Sequence, residues 1–278
     1  MSLRRPSLLF SYLAFGYAFL YVPIIILMIF SFNESRLVTV WAGFSTKWYV
    51  ELFRDDQMLS AAWMSLRIAF FTATAATALG TLAGLIMTRF GRFRGHHLFT
   101  GMITAPLVMP EVITGLSLLL LFVSMEQFLG WPEGRGMTTI WIAHTTFSTA
   151  FVAIVIASRL REMDESVEEA ALDLGARPAK VFFVITLPII APALLSGWLL
   201  AFTLSLDDLV IASFVSGPGS TTLPMVVFSS VRLGVSPKIN ALATIIILVV
   251  SVGILIAGLL LARMDRRKRE ISNLVPPV

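Results

Sequence analysis

Three features of the sequence predict an all-α integral membrane protein with six transmembrane helices: an apolar composition, six long apolar blocks, and short basic segments between them. Hydrophobic residues make up 57% of the chain and charged residues only 14%, with a mean hydropathy of +0.86. Soluble domains carry about 25% charge, so most of this chain belongs in lipid. The net charge of +4 reads as a topology signal and not as a nucleic-acid surface, because the basic residues sit in short loops between apolar spans. The absence of cysteine excludes disulfides, thiol nucleophiles and thiolate metal sites. No catalytic triad, metal cluster or Gly-x-x-x-x-Gly-Lys-Ser/Thr loop occurs, so the chain is not expected to bind ATP by that loop or to act as an enzyme by itself, and it needs no cofactor of its own.

A spanning helix needs roughly 20 apolar residues. Blocks at about 8–32, 61–88, 98–124, 137–158, 182–206 and 237–262 qualify. Helices are the candidates because only helices and closed barrels satisfy the backbone in lipid, and the alternation of a barrel strand is absent. The first block, Leu8 to Phe32, follows Arg4 and Arg5. It is too long for a signal-peptide core and is read as an uncleaved first span. The third block is irregular: Pro106 and Pro110 precede Glu111, and Gly115 follows. Proline removes a helical hydrogen bond and kinks the chain. As one helix, the block would place Glu111 roughly 21 Å from its start, past the middle of a core roughly 30 Å thick.

The fifth block ends in Ser205-Leu206-Asp207-Asp208. Beyond it, Val210 to Ser216, a Gly217-Pro218-Gly219 turn and Leu223 to Val231 are too short to span. They are expected as re-entrant or outer-surface structure buried in protein or facing a water cavity. The last block starts with Ser236 as cap and Pro237 at the first helical position.

Fourteen of the 21 basic residues lie in the N-terminus, the second and fourth loops and the C-terminus, among them Arg89, Arg92, Arg94, Arg159, Arg161, Arg177, Lys180 and the run Arg263 to Arg269. The positive-inside rule places these segments, and hence both termini, in the cytoplasm. The first outer loop, Asn33 to Ser60, carries Trp41, Phe44, Trp48, Tyr49 and Leu52. These read as an anchor at the outer membrane interface or as a contact for a soluble protein.

One polar stretch divides two apolar blocks: Glu169-Ala170-Ala171, Leu172-Asp173-Leu174, Gly175, then nine residues to Ile185-Thr186-Leu187-Pro188. Ser166 followed by Glu169 has capping-box spacing. Gly175 suits the left-handed position just past a helix end, and Pro178 suits the first turn of the next helix. Met163, Val167, Ala170, Ala171 and Leu174 form one helical stripe, with Glu165, Glu168, Glu169 and Asp173 around the rest. The expectation is helix, glycine turn, second helix. An interfacial helix lying on lipid would favour Lys and Arg on its polar face. Here acids outnumber bases from Arg159 to Lys180, which favours a protein partner.

Ionisable residues inside a membrane are functional candidates by default, and Glu111, Asp207 and Asp208 qualify. Trp198, Phe202, Ser205 and Asp208 share one helical face. An acid beside aromatic rings suits a poorly hydrated cation, to which the rings add about 0.5–2 kcal/mol of cation–π attraction. Against this, Asp207 and Asp208 also read as caps of the irregular outer segment, and Glu111 as a partner for proline-freed backbone. Arg67 reads as snorkelling or pairing structurally, or as a gating charge. His144, among Thr145, Thr146, Ser148 and Thr149, reads as a packing histidine or a proton relay.

The stretch Glu169-Ala170-Ala171, Gly175, Ile185-x-Leu187-Pro188 resembles the EAA loop of permease subunits in binding-protein-dependent ABC importers. The likeness runs from about Phe19 to Leu261. Asn33-Glu34-Ser35-Arg36, Thr104 to Glu111, Ser205 to Val210 and Ser236 to Thr244 are similar to spermidine/putrescine permeases, most of all the putrescine type. Those permeases usually carry aspartate where Glu111 stands. The resemblance implies a type I importer fold over 1–278 as a single permease domain, with residues 160–181 as a cytoplasmic coupling loop. It implies an ATPase-coupling set of Glu169, Ala170, Ala171, Asp173, Gly175 and Arg177. The substrate path read from the residues themselves uses Glu111, Asp207, Asp208, Trp198, Phe202 and Ser205. The implied partners are a second permease in a heterodimer, two ATPase subunits that bind ATP and Mg, a periplasmic polyamine-binding protein, and the lipid of a bacterial inner membrane. The alternatives are a permease for spermidine or another small cation, or an ion-coupled secondary transporter with Glu111 or His144 carrying the proton.

Overall fold

The computed structural model describes residues 6–37, 40–91, 93–234, 236–252 and 255. Arg4, Arg5, Arg92, the end of the last apolar block and the C-terminal basic run lie outside the described residues. Among the described residues every regular element is a helix; the strand-like contact is an isolated bridge, Asn33 to Phe44. The chain divides into two compact units, Met1–Asp56 with Ser229–Val278, and Gln57–Phe228.

In the first unit, α1 spans Pro6–Phe30, with Pro23 inside it. Its apolar window is entirely unburied, as expected of a helix whose solvent is lipid. The loop after it is built on Asn33. The Asn33 amide donates to the carbonyls of Leu37 and Val40, while its oxygen accepts the N–H groups of Ser35 and Ala42. The Trp48 indole, on α2 (Lys47–Phe53), donates to the Asn33 carbonyl at 2.6 Å. Trp48 and Leu52 are 3% and 2% exposed, so they are loop core and not a membrane anchor. Trp41 and Phe44 stay exposed. The last apolar block begins as α12, Pro237–Val252, with the Ser236 hydroxyl accepting from the Lys238 N–H. The Lys238 ammonium pairs with Asp55 at 2.8 Å.

The second unit is a bundle around α6, Met137–Glu162. Of its apolar window 61% is buried, against 17% for α5. Against it packs α3, Asp56–Arg89, about 51 Å long at 1.5 Å per residue. The helical stretch Pro178–Asp207, made of α8 (Pro178–Val181), a π turn (Phe182–Thr186) and α9 (Leu187–Asp207), packs against both. Small residues permit the close approach. A Cβ on Gly80 or Gly84 of α3 would come within 2.7 or 3.0 Å of Val152 or Ile156, and one on Gly197 of α9 within 3.2 Å of Val152. Two apolar clusters follow along α6. One gathers Ile68, Phe122, Ile140, Phe147, Ile211 and Val215. The other gathers Ala73, Ala76, Val152, Ile156, Ile190 and Ala201.

The third predicted span divides into α4 (His96–Val108) and α5 (Glu111–Leu129). Pro110 has no N–H to continue the helix, and it forces Met109 into extended backbone, φ −80° and ψ 134°. Pro106 remains inside α4. Glu111 therefore starts a helix, and a depth based on unbroken helical rise does not carry across the break. Beyond α9 the short pieces are two short helices: α10 is Val210–Val215 and α11 is Leu223–Leu233. Gly115 packs α5 onto Phe214 and Ile211 of α10. The buried Thr139 hydroxyl donates to the Val215 carbonyl at 2.7 Å, tying the end of α10 to the start of α6.

Candidate coupling loop and membrane polar sites

The loop between α6 and α9 contains α7, Ser166–Asp173. Its start is one residue off the capping-box reading. Ser166 is the first helical residue and Glu165 takes the cap position, its carbonyl accepting from the Glu168 and Glu169 N–H groups. The side-chain cap comes from Asp164, whose Oδ1 accepts the Ser166 N–H at 3.0 Å, an Asx turn. Hydrogen bonds from the Ser166 backbone and hydroxyl hold the Asp164 carboxyl below its ordinary value. The far end matches the expectation. Ala176 N–H donates to Ala171 O and Gly175 N–H to Leu172 O, a Schellman pair with Gly175 at φ 84°. Pro178 then opens α8, its missing N–H harmless at that position.

No residue of α7 is buried. Glu169, Ala170, Asp173, Gly175 and Arg177 are exposed and Ala171 is half-buried. The apolar stripe is only partly covered: Met163 at its start is buried, while Val167 and Leu174, the latter 90% exposed, stand outward, with Leu172 exposed beside them. Apolar side chains held outward on a short, well-terminated helix suit a docking contact more than a core.

Glu168 does not belong to the outward polar face, and Glu165, though exposed, is paired. Arg89, the last residue of α3, donates from Nε to Glu168 and from one terminal nitrogen to Glu165, both at 2.7 Å. The Thr186 hydroxyl, in the π turn, donates to the other Glu168 oxygen. A cleft of about 390 Å³ opens beside this junction, lined by Leu85, Phe90, Glu169, Leu172 and Phe182 among others. Arg89 and Thr186 are the residues that sequence reasoning misses. Thr186 lies inside the Ile-Thr-Leu-Pro run and Arg89 in a basic helix end, but neither shows its partner.

A second polar group lies inside the bundle. His144 Nδ1 is 2.7 Å from the Ser205 hydroxyl and Nε2 is 3.1 Å from Asp208. Both Asp208 oxygens also accept α10 backbone N–H groups, from Ile211 and Ala212. His144 and the Asp208 side chain are 2% and 8% exposed. Asp208 thus caps α10, and the Ser205 hydroxyl is hydrogen-bonded to His144. Asp207 is exposed at the end of α9. Trp198 stacks on Phe202 at 5.3 Å, meets Phe70 edge-on at 5.9 Å, and donates to Thr74. Glu111 is exposed in the first turn of α5, and Arg67 is exposed on α3.

Residues 76–270 match the family described as the binding-protein-dependent transport system inner membrane component. The chain is 66% identical over 262 residues to the putrescine transport system permease protein PotI of Escherichia coli (strain K12), covering 94% of this chain and 93% of that protein. It is 44% identical over 257 residues to the spermidine/putrescine transport system permease protein PotC of the same strain, covering 92% and 94%. The fold is similar to that of a bacterial ABC transporter involved in the import of the acidic polysaccharide alginate, with TM-score 0.68 and 16% identity over 94% of this chain and 99% of that one. It is also similar to the MetNI methionine ABC transporter, with TM-score 0.58 and 16% identity over 74% and 95%. A match over most of the membrane helices and the α7 loop establishes that the chain belongs to the inner membrane components of binding-protein-dependent transport systems.

Proposed function

We propose that this chain is one permease subunit of an ATP-driven polyamine importer, with putrescine as substrate. The observation that carries the reading is the α7 turn: a short helix closed by left-handed Gly175 and Pro178, with the apolar Val167, Leu172 and Leu174 exposed. In this reading α7 docks on a separate ATPase subunit, which binds ATP and Mg. Glu169, Ala170, Ala171, Asp173, Gly175 and Arg177 form the contact within the 160–181 loop. A second permease completes the passage, two ATPases drive it, and a periplasmic receptor delivers the amine. The substrate class rests on likeness to the putrescine permease, and spermidine remains the second reading because of the spermidine/putrescine relative.

A diamine is doubly charged near neutral pH, since such ammonium groups have reference values of about 10.4. Isolated buried charges cost several kcal/mol each, so a path needs acids. Glu111 and Asp207 are exposed and supply them, while the Trp198–Phe202 stack supplies aromatic faces. Ser205 and Asp208 support this wall through His144 and the α10 cap. Both termini and α7 lie in the cytoplasm, following the basic loops. The testing experiment is uptake of labelled putrescine into vesicles holding the complex with its receptor. Uptake that needs internal or external ATP on the α7 side supports the reading. Uptake driven by an ion gradient without ATP overturns it in favour of a secondary transporter.

A further inference from the structure

α7 is joined to the membrane helices by a carboxylate more than by packing. None of its residues is buried, yet Glu168 reaches two other elements at once. One oxygen accepts Arg89 Nε at the end of α3, and the other accepts the Thr186 hydroxyl at the base of α9. The Arg89 and Glu168 side chains are 14% and 15% exposed, so solvent screens this pair much less than a surface pair. Helix dipoles reinforce it: a cation ends α3, and two acids lie at the start of α7. Glu165 adds an exposed second anchor at 62%.

The grip on α9 falls at a deformable place. Thr186 closes a π turn, Phe182–Thr186, and such single turns inside α-helices occur frequently at functional sites. Among the described residues, Arg89 Nη2 is buried without a hydrogen-bond partner. That leaves a donor free to take a new acceptor in a second arrangement, and buried unsatisfied groups call for such an explanation.

We propose that the Arg89–Glu168–Thr186 clasp transmits displacement of α7 to α3 and α9, with Glu168 as the positioning residue that couples the ATPase to the gate. The proposal rests on the reading of α7 as the ATPase contact. A structural pin would hold the loop in place but would not alter how much substrate moves per ATP.

The test uses the full complex in vesicles and reads putrescine taken up per ATP hydrolysed, together with the amount of assembled complex. Glu168→Gln and Arg89→Ala are expected to assemble with the ATPase and to lower the ratio by about tenfold, within the range that coupling mutations reach. Arg89→Glu combined with Glu168→Arg should recover part of the loss. Glu162→Ala, in an exposed pair with Arg159, is the control and keeps the wild-type ratio. Thr186→Val removes only the hydroxyl and decides the matter if Arg89→Ala fails to assemble. An unchanged ratio in Glu168→Gln and Thr186→Val overturns the clasp. Running Gly175→Val alongside separates the two readings. If it lowers the ratio while the clasp variants do not, the clasp falls and the coupling loop stands. If none of them changes the ratio, the coupling reading falls as well.

Discussion

Gly80 of α3 faces Val152 of α6 so closely that a Cβ at position 80 would lie 2.7 Å from the valine side chain. Val152 is fully buried, and Gly197 of α9 also closes on it. Alanine at position 80 gains up to about 1 kcal/mol of helix propensity but overpacks a filled site at about 1–3 kcal/mol. Gly80→Ala should therefore lower the thermal unfolding midpoint of the detergent-purified protein. Gly101→Ala, where the added methyl meets nothing within 4 Å, should hold or raise it. Equal midpoints for both variants would show that the three-helix contact is looser than described.

The turn after α7 yields the second prediction. Gly175 has φ 84°, a conformation that costs other residues roughly 1–2 kcal/mol. Gly175→Val should leave membrane insertion intact and weaken the ATPase contact by redirecting Pro178 and α8. Glu169→Lys reverses an exposed charge on the same face. Pull-down of the ATPase together with putrescine uptake checks both variants, and normal uptake in both would remove the coupling assignment from α7.

Asp208 and Glu111 should behave differently. Asp208 caps α10 and holds His144. Asp208→Ala orphans these donors at about 1–3 kcal/mol each and should reduce stability and assembly. Asp208→Asn keeps one of the two accepting oxygens and turns the other position into a donor, so it should cost less stability than Asp208→Ala, and the complexes that assemble should transport well. Strong transport loss in assembled Asp208→Asn complexes would return Asp208 to the cation path.

Glu111 stands exposed in the first turn of α5, where its charge is worth only about 0.3–1 kcal/mol to the helix. Glu111→Gln should thus leave stability nearly unchanged while cutting putrescine uptake, and Glu111→Asp should be mild. Unaltered uptake in Glu111→Gln would eliminate this acid from the path.

Orientation is checked in a chain without cysteine. Single cysteines at Thr46 and Arg177, labelled in intact cells with an impermeant thiol reagent, should react at 46 and not at 177. The opposite pattern would invert the topology.

The helices themselves are legible in the sequence, because length, apolar runs and terminal signals are local properties. Pro110 stops α4, Gly175 and Pro178 shape the turn after α7, and Ser236 with Pro237 starts α12. The α7 loop is legible for the same reason: its residues lie close together in the chain. What only the tertiary structure decides is which polar groups meet. Arg89 and Glu168 are 79 residues apart, His144 and Asp208 64. Their pairing depends on the rotation of helices about their axes, set by contacts such as Gly80 against Val152. A carboxylate written beside an aromatic face reads the same in sequence whether it lines a passage or caps a helix. For Asp208 the packing of α6, α9 and α10 brings His144 and two α10 N–H groups to the carboxylate, because a buried acid left without partners is costly.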